Sequence, residues 1–306
     1  MSLALQTNKP KRSWKTWYNL TRPHTLTASF VPVTLGTILA LEQGNIHSGL
    51  FFAMLIASMI IQIATNLFNE YFDYVRGLDN EESVGIGGGI VREGIPPKVI
   101  LRLAWTLIAI SIILGIYICM NSSWWIALVG SISILVGYLY TGGPLPISST
   151  PLGEIMSGLF MGTIIIQISY FIQTGEITIS SLLVSVPIAI LIGSINLANN
   201  IRDMDGDKEF GRKTLPVLLG RPKAIRILAI AFIISYAWII GLVLLYQYSP
   251  FLLIVFLSIP KPISAVKQFI GKNKAIEMMP AMKATAQTNT LFGTLLSIGF
   301  LISYLV

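Results

Sequence analysis

Two clusters of oxygen-bearing side chains occur where long apolar stretches of the sequence end. The first consists of Asn66, Asn69, Glu70 and Asp73, and the second, 130 positions later, of Asn196, Asn199, Asn200, Asp203 and Asp207. Both follow the pattern N-L-x-N-[E/N]-x-x-D. Positions i, i+3, i+4 and i+7 lie on one face of an α-helix, so each cluster predicts one polar stripe. Hard oxygen ligands and amide donors in this arrangement are suited to Mg²⁺ bridged to phosphate oxygens.

A solvated helix end in a lipid headgroup region is the alternative explanation for either cluster alone. Two clusters with the same spacing disfavour it, because a solvated end has no reason to repeat its spacing and polar groups near a bilayer are costly. Of the 14 acidic residues, six lie between positions 70 and 93 and four between positions 203 and 209. General solvation does not explain this concentration, which favours a functional site.

The composition predicts that these clusters belong to an integral membrane protein. Only 11% of the 306 residues are charged, whereas soluble domains carry about 25%. We expect about nine transmembrane helices, each near the spanning length of about 20 residues. Their approximate positions are 24–41, 50–72, 98–119, 123–140, 152–173, 180–202, 224–246, 250–268 and 286–305. The predicted fold class is therefore all-α, with the two polar stripes closing the second and sixth helices.

The distribution of basic residues predicts the orientation. The connections near 42–49, 120–123, 174–179 and 245–250 contain no Lys or Arg, and all 21 such residues fall on the other side. The positive-inside rule places that side, the N-terminus and both acidic clusters in the cytoplasm. In a chain this apolar, orientation explains the net charge of +7 better than nucleic-acid binding does.

The repeat extends beyond the helices. Gly94-Ile95-Pro96-Pro97-Lys98 follows the first acidic loop, and Gly220-Arg221-Pro222-Lys223 follows the second. We interpret the chain 1–306 as a single membrane-embedded domain with an interfacial N-terminus at 1–20 and pseudo-repeat halves at about 21–150 and 151–306. Such halves are related by an axis along the membrane normal.

Several motifs together resemble the UbiA-type intramembrane aromatic prenyltransferases over essentially the whole chain. They are Thr21-Arg22-Pro23-His24-Thr25-Leu26-Thr27-Ala28-Ser29-Phe30, the segment from Asn66 to Asp79, Tyr140-Thr141-Gly142-Gly143-Pro144, Asn199-Asn200-Ile201-Arg202-Asp203, and Gly211-Arg212-Lys213-Thr214-Leu215. The R-P-x-T-L-T-A-S-F and Y-T-G-G-P strings are most similar to the bacterial branch that prenylates 1,4-dihydroxy-2-naphthoate in menaquinone biosynthesis. The resemblance implies a membrane-embedded cavity that opens to the cytoplasmic side of the bacterial cell membrane.

The resemblance also implies Mg²⁺ ions held between the two motifs and a polyprenyl diphosphate. Asn69 and Asp73 fit the first family motif, N-x-x-x-D-x-x-x-D, whose third position is Gly77 here, with Asp79 two residues on. We expect metal ligands at Asn69, Glu70, Asp73, Asp203 and Asp207, catalytic roles for Asp73, Asp203 and Tyr140, diphosphate contacts at Arg22, Arg76, Arg202, Lys213 and Asn199, and substrate contacts at Asn66, Asn196 and Asn200. Alternatives stay open: headgroup anchoring for Arg22, membrane orientation for the other basic residues, and helix packing for Asn66 and Asn196.

The chemistry of prenyl transfer agrees with this set. Breaking the C1–O bond of an allylic diphosphate builds negative charge on the leaving group, which Mg²⁺ and cationic side chains stabilise. The π-face of Tyr140 is suited to the developing allylic cation, and the naphthoate branch loses the acceptor carboxylate as CO₂. Other aromatic acceptors, such as 4-hydroxybenzoate, are the alternative within this class. A membrane transporter and a non-catalytic lipid-binding protein are the alternatives outside it.

Overall fold

The computed structural model describes residues 14–44, 46–79 and 88–306, with the side chain of His24 excepted. Every regular element within these residues is helical. The main helices are α1 (Trp14–Leu20), α2 (Thr27–Leu39), α3 (Ser48–Val75), α4 (Pro97–Asn121), α5 (Trp125–Thr141), α6 (Gly153–Thr174), α7 (Ile179–Glu209), α8 (Arg221–Leu245), α9 (Pro250–Phe269) and α10 (Met279–Leu305). Short helical turns occupy Pro23–Thr25, Ala40–Gln43, Ile147–Ser149, Leu215–Leu219 and Ala275–Met278. Most of the predicted interfacial N-terminus (1–13) and part of the first acidic loop (80–87) lie outside the described residues.

Among the described residues, seven helical regions are long and apolar enough to cross a membrane. They are Ser48–Val75, Pro97–Asn121, Gly153–Thr174, Ile179–Glu209, Arg221–Leu245, Pro250–Phe269 and Ala275–Leu305. The chain is therefore a multi-pass membrane protein. Each of the nine predicted spans coincides with a helical region, but α2 has 13 residues and α5 has 17, fewer than the roughly 20 that a straight crossing needs.

The two motif helices are longer than a bilayer crossing requires. At 1.5 Å per residue, the 28 residues of α3 span about 42 Å and the 31 residues of α7 about 46 Å, against a hydrocarbon core of about 30 Å. Their last turns therefore extend beyond the apolar layer. Helix α7 continues to Glu209, past the predicted end at position 202, and so includes both Asp203 and Asp207.

Small residues let α6 and α7 approach closely. A β-carbon at Gly158 or Gly162 of α6 would collide with the backbone of Ala189 on α7. A seven-residue π-helical segment, Gly158–Ile164, spans both glycines. Close packing through small residues is the usual way in which membrane helices associate. This contact holds α6 against the middle of α7, and a second close approach, of Gly193 to the Glu154 carbonyl, brings the start of α6 near the polar end of α7.

Packing divides the helices into a dense group and a looser one. A large apolar cluster joins α2, α6, α7, α8, α9 and α10, and a smaller one lies between α3 and α4. Only 22% of the apolar window of α4 is buried, compared with 61% for α7. Helices α4 and α5 therefore leave apolar surface open to lipid and to the interior cavity.

Candidate active site

One cavity of about 1620 Å³ joins the polar ends of α3 and α7. At that end it is lined by most of the residues predicted for the site: Arg22, Asn66, Asn69, Asp73, Tyr140, Asn196, Asn199, Asn200, Arg202, Asp203 and Asp207. The helical repeat of the polar residues brings them to one wall of each helix. Three predicted residues, Glu70, Arg76 and Lys213, are not among the lining residues.

The cavity continues away from this polar end along an apolar groove. Helices α4 and α5 line it mostly with small and apolar residues, from Gly137 and Ile134 near the polar end to Cys119 and Trp124, which immediately precedes α5, at the opposite end. Positions 137 and 124 are separated by about 20 Å along a helix at 1.5 Å per residue. The cavity as a whole thus joins a charged end to a long apolar groove, as a ligand with an ionic group and a hydrocarbon tail requires.

The first motif places an unpaired carboxylate in the cavity. Asn69 and Asp73 occupy the last two turns of α3, and the Asp73 side chain has no hydrogen bond or ion pair with any described residue. Asp79 lines the same cavity after the helix has ended. Burial and the nearby negative charge of Glu70 raise the pKa of the Asp79 carboxyl above its usual range. The acidic wall formed by Asp73 and Asp79 therefore favours a bound cation.

Arg22 approaches this wall from a strained turn. Its Nη1 donates a 2.8 Å hydrogen bond to the Asn69 Oδ1, and its backbone has a φ of 47°, in the left-handed region. Asn66 stabilises the turn, because its Nδ2 donates to the Thr21 carbonyl and to the Thr25 hydroxyl, each at 3.0 Å. Strain of this kind collects at functional sites. Asn66 lines the cavity, and its amide also holds Arg22 in position.

Glu70 lies behind the cavity wall rather than in it. Its side chain is 2% exposed, and its two carboxylate oxygens accept hydrogen bonds from the Gly88 and Ile90 backbone amides at 3.0 and 3.2 Å. The Arg22 guanidinium lies 3.6 Å from the same carboxylate. These contacts argue against the predicted role of Glu70 as a metal ligand. They indicate instead that it anchors the loop after α3.

In the second motif, both predicted metal-binding aspartates are paired with arginines. Arg202 makes a two-pronged ion pair with the adjacent Asp203, both contacts at 2.6 Å, and Arg212 contacts the Asp207 Oδ1 at 2.8 Å. The Arg202 guanidinium is also oriented from α10, since its Nη1 donates to the Met282 sulfur at 2.9 Å. Asp203 is 39% exposed and Asp207 only 4%. Arg202 and Arg212 therefore bring two cationic groups into the cavity beside two carboxylates.

Arg76, predicted to contact diphosphate, supports the Tyr140-Thr141-Gly142-Gly143-Pro144 loop instead, and the backbone of Lys213 is held by the following turn, Ile147–Ser149. The Arg76 guanidinium donates to the carbonyls of Thr141 and Gly143, and the Lys213 backbone amide donates to the Ser149 carbonyl at 2.9 Å. Because the guanidinium of Arg76 is committed to the loop, its geometry argues against direct diphosphate contact. Arg212 lines the cavity in the place predicted for Lys213, and it also donates to the Ser148 carbonyl.

Tyr140 lies where the polar end meets the apolar groove. A β-carbon at position 153 would lie 3.3 Å from the Tyr140 hydroxyl and 3.2 Å from the Asn196 Nδ2. Glycine at position 153 therefore leaves room for both groups. The neighbouring Tyr138 turns away and packs against Phe68 and Phe72. Of the two tyrosines, only Tyr140 is in contact with the cavity.

The oxygen atoms of the protein suit Mg²⁺ only if the bound substrate supplies further oxygen ligands. Carboxylate and amide oxygens from Asn69, Asp73, Asp79 and Asp203 face one cavity, which suits a hard cation. Across the described residues, however, no three His, Cys, Asp or Glu side chains come close enough to hold an ion by themselves. Mg²⁺ is typically held by one or two carboxylates together with substrate phosphates. The residues present fit that type of site.

Sequence reasoning assigned no site role to Glu154 beside the cavity, or to Gln62, Asp205 and Lys274, which line it. Glu154, in the first turn of α6, accepts a 2.8 Å hydrogen bond from the Asn200 Nδ2. The sequence offered one weak signal, an acidic residue at the start of an otherwise apolar helix. It became informative only when the packing of α6 against α7 placed it next to the second motif.

Comparisons with known proteins agree in family and fold. The sequence model for the UbiA prenyltransferase family matches residues 29–275. A Bacillus subtilis (strain 168) protein, 1,4-dihydroxy-2-naphthoate octaprenyltransferase, is 58% identical over 287 residues, covering 94% of this chain and 92% of its own length. The apo structure of a UbiA homolog from Aeropyrum pernix K1 has a TM-score of 0.69 at 15% identity and covers 90% of this chain and 98% of its own. A UbiA homolog from Archaeoglobus fulgidus, bound to DMAPP and Mg²⁺, has a TM-score of 0.65 at 15% identity, covering 92% and 99% of the two chains.

Proposed function

Since the chain belongs to the UbiA prenyltransferase family, we propose that it transfers a polyprenyl group from a polyprenyl diphosphate to 1,4-dihydroxy-2-naphthoate. The observation that carries this proposal is the form of the cavity, which joins a charged end to a long apolar groove. The charged end suits a diphosphate, and the groove suits a polyprenyl tail that water does not dissolve. The similarity to the Bacillus subtilis naphthoate octaprenyltransferase supports the choice of acceptor.

The charged end would bind and orient the diphosphate. Arg22, Arg202 and Arg212 approach it from three different segments, and guanidinium groups bind phosphate oxygens through paired hydrogen bonds. Asn199 adds an amide on the same wall. Asn69, Asp73, Asp203 and Asp207, with Asp79, are the residues that would hold Mg²⁺. When bound, Mg²⁺ would stabilise the charge that develops on the leaving diphosphate.

The transfer itself takes place at the junction of the two parts of the cavity. The C1–O bond of the allylic diphosphate breaks and its electron pair leaves with the diphosphate. The aromatic ring attacks C1, with the π-face of Tyr140 beside the developing cation. The ring carbon then loses its carboxylate as CO₂, and the electron pair of that bond returns to the ring, giving demethylmenaquinol. Helices α4 to α6 exclude water from the tail, so that the reactive cation meets the acceptor rather than solvent.

The topology is part of the proposal. We place nine crossings in the bacterial cell membrane, with α2 and α5 as short ones, and the N-terminus and the opening of the cavity on the cytoplasmic side. The segregation of all 21 Lys and Arg residues to one set of connections supports this orientation. Two halves at about 21–150 and 151–306 are supported by the matching starts of α4 and α8, each with proline in its first turn.

Turnover by the purified chain tests the function. The assay contains 1,4-dihydroxy-2-naphthoate, a polyprenyl diphosphate and Mg²⁺, with and without EDTA. We expect product that disappears with EDTA and in Asp73→Ala and Asp203→Ala. Turnover with 4-hydroxybenzoate but not with the naphthoate would make the acceptor wrong. Mg²⁺-dependent diphosphate binding without turnover on any acceptor would indicate a binding protein, and substrate flux across vesicles without product would indicate a transporter.

A further inference from the structure

A pair of unsatisfied polar atoms lies beside the cavity, outside the two acidic motifs. The Glu154 Oε1 accepts from the Asn200 Nδ2, but its Oε2 is buried and has no hydrogen-bond partner among the described residues. The Nδ2 of Asn196, one turn earlier on α7, is buried and makes no hydrogen bond of normal geometry, with the Tyr140 hydroxyl as a polar neighbour. A buried donor or acceptor left unpaired is costly, so a native structure that retains both calls for an explanation. A ligand bound in the cavity would supply the missing partner of Asn196, which lines it, whereas Glu154 lies behind the wall and keeps its contact with Asn200.

The packing of three helices brings these atoms together. A β-carbon at Gly153 would lie 3.2 Å from the Asn196 Nδ2, and one at Gly193 would lie 2.8 Å from the Glu154 carbonyl oxygen. The two glycines thus let the start of α6 reach the wall of α7, with the Tyr140 hydroxyl next to them. Asn196 and Asn200 line the cavity, whereas Glu154 does not. The carboxylate therefore supports the cavity wall from behind.

The hydrogen bond to Glu154 determines which way the Asn200 amide faces. Its nitrogen points to the carboxylate, so its carbonyl oxygen is the atom available on the cavity side, where no described residue donates to it. Next to it stands the unpaired amide nitrogen of Asn196. A hydroxyl group both donates and accepts, and so matches one acceptor beside one donor. The hydrocarbon tail of the prenyl donor has no such group, whereas the proposed aromatic acceptor has two ring hydroxyls.

We propose that Glu154, acting through Asn200 and together with Asn196, positions a ring hydroxyl of the aromatic acceptor beside Tyr140. This inference rests on the proposed function and deepens it. The hydroxyl would donate to the Asn200 carbonyl and accept from the Asn196 amide. Donation to the carbonyl increases electron density on the ring, which is the attacking partner. Glu154 is a positioning residue, because it touches Asn200 and not the substrate.

Steady-state kinetics of Glu154→Gln in the full-length chain tests this role. Glutamine keeps the shape, but it removes the charge that fixes the Asn200 amide. We expect the KM for 1,4-dihydroxy-2-naphthoate to rise by about tenfold while the KM for the polyprenyl diphosphate stays within about twofold. Glu176→Gln is the matched control, because Glu176 lies just beyond the opposite end of α6, is exposed, and contacts Gln43 rather than the cavity. We expect wild-type constants for that variant.

Acceptor analogues separate hydroxyl recognition from a general packing defect. The two analogues are 1-hydroxy-2-naphthoate and 4-hydroxy-2-naphthoate, each of which lacks one ring hydroxyl. We expect one of them to bind the wild-type chain about tenfold more weakly than the dihydroxy compound, and Glu154→Gln to abolish that difference. Equal wild-type-to-variant ratios for all three compounds, or equal changes in both KM values, would overturn the inference. If Glu154→Gln does not accumulate, Asn196→Ala takes its place in the same comparison.

Equilibrium dialysis of the same three compounds keeps this inference separate from the proposed function. Binding is measured without donor and without turnover. If the wild-type chain forms no product, the proposed function fails, yet the affinity differences still decide the role of Glu154. If wild-type turnover is normal and Glu154→Gln binds all three compounds with wild-type affinity, only the inference about Glu154 fails.

Discussion

The two acidic motifs share one spacing of polar residues, yet the structure surrounds their carboxylates differently. In the first motif, Asp73 has no hydrogen bond or ion pair with any described residue. In the second, Asp203 and Asp207 are each paired with an arginine at 2.8 Å or less. Spacing along a helix determines the direction in which side chains point. It does not determine which charges they meet.

The difference follows from where each helix ends. Helix α3 ends at Val75, and Arg76 directs its guanidinium to the carbonyls of Thr141 and Gly143. The left-handed conformation of Gly77, with a φ of 73°, turns the chain away at this point. Helix α7 continues to Glu209, so that Arg212 folds back onto Asp207. In the first motif Asp73 is therefore open to a cation while Glu70 is held by Arg22, whereas in the second motif Asp203 and Asp207 both have an arginine beside them.

The largest expected effect comes from removing the unpaired charge. Asp73→Asn should lower kcat/KM for the polyprenyl diphosphate by about 1000-fold, because Asp73 is the one carboxylate of α3 that lines the cavity. Asp203→Asn should cost about 100-fold, since Arg202 already neutralises much of the Asp203 charge. Initial rates at saturating Mg²⁺ measure both. Equal losses would show that the ion pair opens when substrate binds, and would remove the functional difference between the motifs.

Removing the charge of Arg202 should leave Asp203 unpaired, as Asp73 is, and should separate the diphosphate contact of Arg202 from its ion pair with Asp203. Arg202→Gln removes a diphosphate contact and frees Asp203, so the KM for the donor should rise about tenfold while the Mg²⁺ concentration for half-maximal rate falls. Titrations of donor and Mg²⁺ in turn measure the two effects. Arg221→Gln is the control, because Arg221 likewise pairs with an aspartate, Asp205 at 2.9 Å, but unlike Arg202 does not itself line the cavity. A rise in the Mg²⁺ requirement would contradict the competition between Arg202 and the metal.

Substitution of Glu70 tests whether this residue is a metal ligand in addition to Asp73 and Asp79. Glu70→Gln should reduce turnover by no more than about tenfold, but should lower the free energy of unfolding by about 2 kcal/mol, because a 2% exposed carboxylate loses its charge-assisted contacts. Turnover and thermal unfolding in the same detergent give both quantities. A loss near 1000-fold, as expected for Asp73→Asn, would restore Glu70 as a metal ligand.

Sequence patterns predicted most of the residues that line the cavity, but few of the contacts that hold those residues in place. Asn196, Asn199 and Asp203 line the cavity because helical periodicity alone fixes their common face. Glu70 and Glu154 behave differently because their partners, a loop amide and an amide on another helix, are distant in sequence. Such contacts arise from packing, which neither residue type nor spacing encodes.

In the fold, too, local features were predictable from the sequence and features that depend on packing were not. Each predicted apolar segment falls on a helical region, and seven of the helical regions in the described residues are long enough to span a membrane, because hydrophobic length is a local property of the sequence. The short α2 and the π-helical segment of α6 were not predicted, since they depend on how neighbouring helices pack. The extension of α7 to Glu209 was implied only by the spacing of its two aspartates.

The smallest effect is expected at Arg76, where a substitution distinguishes support of the loop after Tyr140 from direct contact with the diphosphate. Arg76→Lys should lower kcat by about two- to fivefold and leave the KM for the diphosphate unchanged, because lysine lacks the planar fork that holds two carbonyls of the loop after Tyr140. Arg212→Lys is the counterpart in the second motif. Arg212 lines the cavity, so its substitution should raise the KM for the diphosphate. If Arg76→Lys also raised that KM, both motifs would use an arginine on the substrate, and their difference would be confined to the aspartates.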